Sequence, residues 1–110
     1  MIYVSNAFSL NMLNDDNILV NVKATTKEVV QNILKNNYFE SYVGHPTTAE
    51  FLSKILEIDI KYNRGELKLT ENDILFVFQL QKRLPEGIIL SKEEIEKIPY
   101  KIFILKIIKL

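Results

Sequence analysis

Hydrophobic and polar positions divide the 110-residue chain into short segments with two different periods. Five segments have the apolar, β-branched or alternating composition of strands: 2–8, 18–24, 66–70, 74–78 and 102–108. The polar stretch 14–17 separates the first two, and a short helical turn is expected at 11–13. Because 74–78 is apolar at every position, it is predicted to be a central strand covered on both faces.

Helix starts are predicted where Ser or Thr is followed three residues later by Glu, the pattern of a capping box, ahead of apolar residues at helical spacing. The pattern occurs three times: Thr25–Glu28, Thr47–Glu50 and Ser91–Glu94. The first predicts a helix over about 26–36, and Pro99 is expected to end the last one. The order β-β-α-α-β-β-α-β indicates a single α/β (α+β) domain over 1–110, with a mixed sheet of about five strands and about three flanking helices.

Composition limits the classes of function that the chain can have. Hydrophobic residues make up 47% of the chain, which favours a globular fold over disorder. Fourteen basic residues balance fourteen acidic ones, so nonspecific binding to long nucleic acid is disfavoured, whereas a small anionic ligand needs only a local cluster of donors. Without cysteine, a run of about 18 apolar residues or a basic signal-peptide start, we expect a cytoplasmic protein with no membrane partner.

The only histidine, His45, stands just before the second predicted helix, in the segment Gly44–Thr48. Free backbone N–H groups at a helix start favour an anion, and the hydroxyl groups of Thr47 and Thr48 add donors. A bound phosphate would hold the imidazole positively charged, so that His45 could act as a general acid near neutral pH. The alternative is a surface-loop histidine before an ordinary helix cap.

Polar side chains follow the central strand in the segment Gln79–Gly87, a common place for a site. Arg83 offers a planar fork of donors suited to phosphate, and residues 82–90 could form a lid. Alternatively, Arg83 and Glu86 belong to a solvated turn, and the second arginine, Arg64, reads most simply as a turn residue.

A third polar segment, Ser5–Ser9, leaves the first strand with the amide of Asn6 and the hydroxyl of Ser9; strand-end capping is the alternative reading. One histidine and no cysteine cannot build the usual zinc sites, and the carboxylates form no oxygen cluster. No nucleotide phosphate loop or nucleophile elbow occurs either. We therefore expect no cofactor and, if the protein is an enzyme, metal-independent catalysis.

Taken together and in order, these segments resemble the viral ring nuclease family, the type III anti-CRISPR proteins of archaeal viruses and some bacteriophages. The similarity runs over nearly the whole chain, and the ordered set is more specific than any single motif. The matching elements are Ser5–Ser9, Gly44-His45, Asn63-Arg64, and Gln79 through Gly87 followed by Ile89-Leu90 and an acidic helix.

The resemblance implies a homodimer that binds cyclic tetra-adenylate, the second messenger of type III CRISPR immunity, and cleaves it to linear di-adenylate in the cytoplasm of the infected host cell. It implies that His45 is the general acid, that Arg83 stabilises the phosphate and that Glu86 orients the ligand. The positions that it places in the pocket are Asn6, Ser9, Arg64 and Gln79. Pro46 departs from the polar residue of some relatives.

The chemistry agrees with such an activity. An RNA phosphodiester carries its own nucleophile, the 2′-hydroxyl, so in-line positioning, charge stabilisation by Arg83 and protonation of the 5′-oxygen by His45 suffice. The expected product ends in a 2′,3′-cyclic phosphate. Two other hypotheses stay open: a non-enzymatic viral regulator that binds nucleic acid or a nucleotide through the same basic loop, and a structural or host-protein-binding dimer.

Overall fold

The computed structural model describes residues 1–81, 84 and 91–110. Within them the strands are β1 (Ile2–Ser5), β2 (Ile18–Thr25), β3 (Glu40–Tyr42), β4 (Ile74–Leu80) and β5 (Tyr100–Lys109). The helices of the same residues are α1 (Lys27–Asn36), α2 (Pro46–Leu56) and α3 (Lys92–Lys97), with a 3₁₀ turn at Leu10–Met12.

The strands of the described residues form one mixed sheet in the order β2-β5-β4-β1-β3, so β4 lies at its centre. β1 pairs in parallel with both β3 and β4, whereas β5 is antiparallel to β4 and β2. The predicted single α+β domain with a mixed sheet of about five strands and three helices is confirmed. Because β1, β3 and β4 are parallel, their carboxyl ends meet at one edge of the sheet.

Both faces of β4 are covered, as its uninterrupted apolar sequence predicts. Phe76 and Phe78 are fully buried in the core that the helices form with one face. Leu75 is fully buried on the other face, where no helix packs among the described residues. Residues 8–13 and the buried side chains of Leu67 and Leu69 cover that second face.

The prediction of a strand at 66–70 is wrong, because this segment forms no strand. Leu69 makes only an isolated bridge to Leu13, and the alternation of Leu67 and Leu69 reflects their packing against the sheet. The three-residue strand β3 was not predicted, because its sequence Glu-Ser-Tyr has no apolar alternation and it is ordered by pairing with β1. The first strand also ends earlier than residue 8, at Ser5, whose Oγ bonds to the backbone of Ala7.

Only one of the three predicted capping boxes forms. Ser91 Oγ accepts from the Glu94 N–H and Glu94 Oε1 accepts from the Ser91 N–H, both at 3.2 Å, and these bonds hold the pKa of Glu94 below its usual value. In α1 the cap is Thr26, not Thr25. The predicted cap Thr47 lies inside α2.

The helix α2 begins at Pro46, with His45 as its N-cap residue. Proline favours the first helical position because its φ is preset and its missing N–H would have no partner there. Among the described residues, no helix combines the length and the apolar character needed to cross a membrane.

Candidate functional site

A cleft of about 330 Å³ lies at the sheet edge where the parallel strands end, beside the amino end of α2. Its walls come from the end of β1, the end of β4 and the first turn of α2. The lining residues are Asn6, His45, Pro46, Thr47, Thr48, Phe78, Gln79, Leu80, Gln81 and Leu84. In open sheets with parallel strands, ligands characteristically bind outside the carboxyl ends of those strands.

His45 enters the cleft from the amino end of α2. Its backbone is extended, its carbonyl accepts the first helical hydrogen bond from Ala49 N–H at 3.0 Å, and its side chain makes no capping bond. The imidazole is exposed and does not cap the helix, so it is available to a ligand. The first backbone N–H groups of a helix have no acceptor within it, and the helix dipole favours negative charge there, so this end suits an anion.

Asn6 connects the end of β1 to the His45 loop. Its Oδ1 accepts a hydrogen bond from Gly44 N–H at 3.2 Å, which leaves the two protons of Nδ2 as its donors toward the cleft. The buried Ser5 before it bonds to Ala7 and, at 3.4 Å, to the carbonyl of Tyr42. The polar side chains at the end of β1 thus connect the carboxyl end of β1 to that of β3.

Arg64 lies next to this loop without lining the described part of the cleft. Its Cγ is 3.8 Å from the position that a Cβ on Gly44 would take, so the aliphatic stem of the arginine covers Gly44. The segment that carries it runs beside the end of β3, through a parallel bridge between Tyr62 and Val43. The stem of Arg64 thereby lies beside Gly44, the residue that precedes His45.

The structure gathers four of the predicted site residues in the cleft: Asn6, His45, Thr47 and Gln79. Ser9 caps the 3₁₀ turn, where its Oγ accepts from Asn11 N–H at 3.2 Å, and it is not among the described residues of the cleft wall. The predicted catalytic residues Arg83 and Glu86 lie outside the described residues, and so does the predicted lid 82–90 except for Leu84.

Several cleft residues were not predicted from the sequence to be in the site. Phe78, Leu80 and Leu84 form its apolar part, and Gln81 adds a second exposed amide beyond Gln79. Gln81 belongs to the polar segment that follows β4, so its position after the strand was the available signal. Across the described ranges 1–81 and 91–110 with Leu84, no group of three or more His, Asp or Glu side chains is arranged to hold a metal ion.

Comparison with known proteins assigns the chain to a family. The family model described as STIV B116-like matches residues 2–102, and the chain belongs to this family. Uncharacterized protein 26 of Sulfolobus islandicus filamentous virus (isolate Iceland/Hveragerdi) is 33% identical over 109 residues, which cover 98% of this chain and 92% of that protein. Uncharacterized protein YddF of Bacillus subtilis (strain 168) is 33% identical over 84 residues, or 76% of this chain and 78% of that protein.

A solved structure shares the architecture. B116 of Sulfolobus turreted icosahedral virus superposes with a TM-score of 0.81 at 24% identity, covering 96% of this chain and 97% of that chain. At this identity the similarity shows the fold. The relatives include proteins of archaeal viruses as well as a bacterial protein.

Proposed function

We propose that this protein is a viral ring nuclease that cleaves cyclic tetra-adenylate to linear di-adenylate and so antagonises type III CRISPR immunity. The observation that carries the proposal is the placement of His45 at the amino end of α2, in one cleft with Asn6, Thr47 and Gln79. A proton donor, neutral amide and hydroxyl donors, and a helix amino end form a suitable environment for a phosphodiester.

The reaction is an internal transesterification. The 2′-hydroxyl oxygen attacks the adjacent phosphorus, the bond from phosphorus to the 5′-oxygen breaks, and His45 gives its proton to that leaving oxygen. The strand end that remains is a 2′,3′-cyclic phosphate. From the family resemblance, Arg83 stabilises the charge on the phosphate and Glu86 orients the ligand, with no metal ion or cofactor required.

The proposed functional unit is a homodimer, and the modest size of the cleft is compatible with it. Pockets for small molecules measure roughly 300–1,000 Å³, and the cleft of one chain, at about 330 Å³, is at the lower end of that range. It suits part of a four-nucleotide ring. A two-fold symmetric dimer would present two copies of His45 to opposite phosphates of the symmetric ligand, and two cuts would give two identical halves.

The first experiment is cleavage of cyclic tetra-adenylate by the purified protein in EDTA, with separation of the products by chromatography. We expect conversion to di-adenylate ending in cyclic phosphate. His45→Ala should lose most of the rate, at least about 100-fold for removal of a general acid, while still binding the ring. Asn36→Ala is the matched control, because Asn36 bonds to Asn32 at the far end of α1.

Three outcomes would contradict the proposal. Unchanged turnover by His45→Ala would remove His45 from the mechanism. Binding of DNA or RNA that weakens with salt, without cleavage of the cyclic ligand, would instead favour a non-enzymatic regulator. Activity that requires a divalent cation and disappears in EDTA would contradict the metal-independent chemistry.

A further inference from the structure

The peptide group between Val43 and Gly44, the residue just before His45, is held from two sides, by the backbone N–H of Asn63 and by the side chain of Asn6. Its carbonyl, which belongs to Val43, accepts a hydrogen bond from Asn63 N–H at 2.9 Å. Its N–H, which belongs to Gly44, donates to Asn6 Oδ1 at 3.2 Å. Because this C=O and N–H form one planar unit, the two bonds fix the direction in which the chain enters Gly44, the residue before His45.

The side chain of Asn63 ties its own segment to β3. Its Nδ2 donates to the carbonyl of Ser41 at 2.9 Å, and its Oδ1 accepts from Gly65 N–H at 2.9 Å. The first bond connects the segment to the sheet, and the second closes a tight turn around Arg64. This turn places the stem of Arg64 against Gly44.

We propose that Asn63 is a positioning residue of the site: its side-chain bonds to Ser41 and Gly65 hold the segment whose backbone N–H supports the Val43–Gly44 peptide, so that His45 and Arg64 approach one phosphodiester ligand. An asparagine suits this position because its amide both donates to Ser41 and accepts from Gly65. An aspartate would direct an oxygen at the Ser41 carbonyl, and alanine would lose both side-chain bonds. Asn63 is exposed, so its bonds act mainly on the local geometry.

The kinetic part of the inference rests on the proposed ring nuclease activity, whereas the geometric part does not. Displacements of about 1 Å in a site can reduce turnover by roughly 100-fold. We therefore expect Asn63→Ala and Asn63→Asp to lower kcat for cyclic tetra-adenylate by at least about tenfold, with a smaller change in KM. Asn63→Asp keeps the acceptor for Gly65 but adds a negative charge, and Asn63→Ala adds none, so a loss in both variants assigns the effect to the bond with Ser41 that both lack.

The matched control is Asn36→Ala, which removes a 2.7 Å bond between Asn36 Nδ2 and the Asn32 carbonyl. Asn36 ends α1, which leads to the amino end of β3, at the edge of the sheet opposite the cleft. We expect this variant to keep the kcat of the wild type. Similar melting temperatures of all variants would show that the kinetic losses do not come from unfolding.

A second readout needs no substrate. His45 is the only histidine, so its imidazole resonances are assigned without ambiguity by NMR. In the free protein, both Asn63 variants should shift or broaden these resonances, and Asn36→Ala should not. If one Asn63 variant does not fold, the His45 resonances of the other variant test the inference.

The inference requires both readouts to change. Wild-type kcat in the Asn63 variants, or unchanged His45 resonances, would overturn it even if the wild-type protein cleaves the ring. If the wild-type protein does not cleave cyclic tetra-adenylate, the proposed function fails, and the His45 resonances alone then decide whether Asn63 positions this loop.

Discussion

At the scale of single residues, some polar side-chain atoms near the cleft are already hydrogen-bonded within the protein. Atoms without such a bond are the ones available to a ligand. Asn6 Oδ1 is engaged by Gly44 N–H, and Ser9 Oγ accepts from Asn11 N–H. The imidazole of His45, in contrast, makes no capping bond at the helix that it precedes. Asn6 therefore combines a structural acceptor with donors for the cleft.

This division of the Asn6 amide leads to a prediction. Asn6→Asp retains the acceptor for Gly44 N–H but places a negative charge in the cleft, whereas Asn6→Ala removes the bond without adding charge. Like charges brought together at a binding surface cost several kcal/mol. We expect Asn6→Asp to bind cyclic tetra-adenylate about tenfold or more weakly than Asn6→Ala, as measured by calorimetry in a His45→Ala background. Equal affinities would place the phosphates away from Asn6.

At the scale of elements, the start of α2 decides the geometry of the site. The pattern Thr47–Glu50 predicted a cap at Thr47, but Pro46 takes the first helical position and makes His45 the N-cap residue. A capping pattern describes side chains that can accept a bond, and the preset φ of proline prevailed over it. The correction brings His45 two residues closer to the helix start than the sequence indicated.

The two-sided burial of β4 gives a prediction for stability. Leu75 is fully buried although residues 8–13, Leu67 and Leu69 cover it instead of a helix. Removing a buried leucine side chain costs about 2–5 kcal/mol. We expect Leu75→Ala to lower the free energy of unfolding in urea by that amount, and the half-exposed Leu19→Ala to lower it by less than about 1 kcal/mol. A small effect of Leu75→Ala would mean that the second layer is loosely packed.

At the scale of the whole molecule, local patterns predicted what local interactions determine. The apolar run of β4 and the Ser91–Glu94 box predicted a central strand and a helix start correctly. In contrast, β3 depends on pairing with β1 about forty residues earlier, and Asn63 acquires its contacts from Ser41 and Val43 of the neighbouring strand region. Such long-range pairings have no signature in adjacent residues, which is why the edge strand and the Asn63 contacts were not predicted.

The same reasoning applies to the cleft. Asn6, His45, Thr47 and Gln79 stand beside strand ends or a helix start that the sequence reveals, so these four could be proposed as site residues. That they meet follows from the parallel pairing of β1 with β3 and β4, and the strand order could not be read from the pattern. The apolar wall of Phe78, Leu80 and Leu84 follows from that assembly.

The proposed dimer predicts different single-turnover products for a wild-type dimer and for a dimer in which one chain lacks His45. If each of two copies supplies one His45 to one of two opposite phosphates, a wild-type dimer makes two cuts while the ring is bound. A dimer of one wild-type and one His45→Ala chain, isolated with two different affinity tags, should make one cut. We therefore expect linear tetra-adenylate to accumulate in a single turnover of the mixed dimer, and di-adenylate in that of the wild type. Sedimentation should give a mass twice the 12.8 kDa of one chain. A monomer that produces di-adenylate, or a mixed dimer that yields only di-adenylate without the linear intermediate, would show that one His45 serves both phosphates.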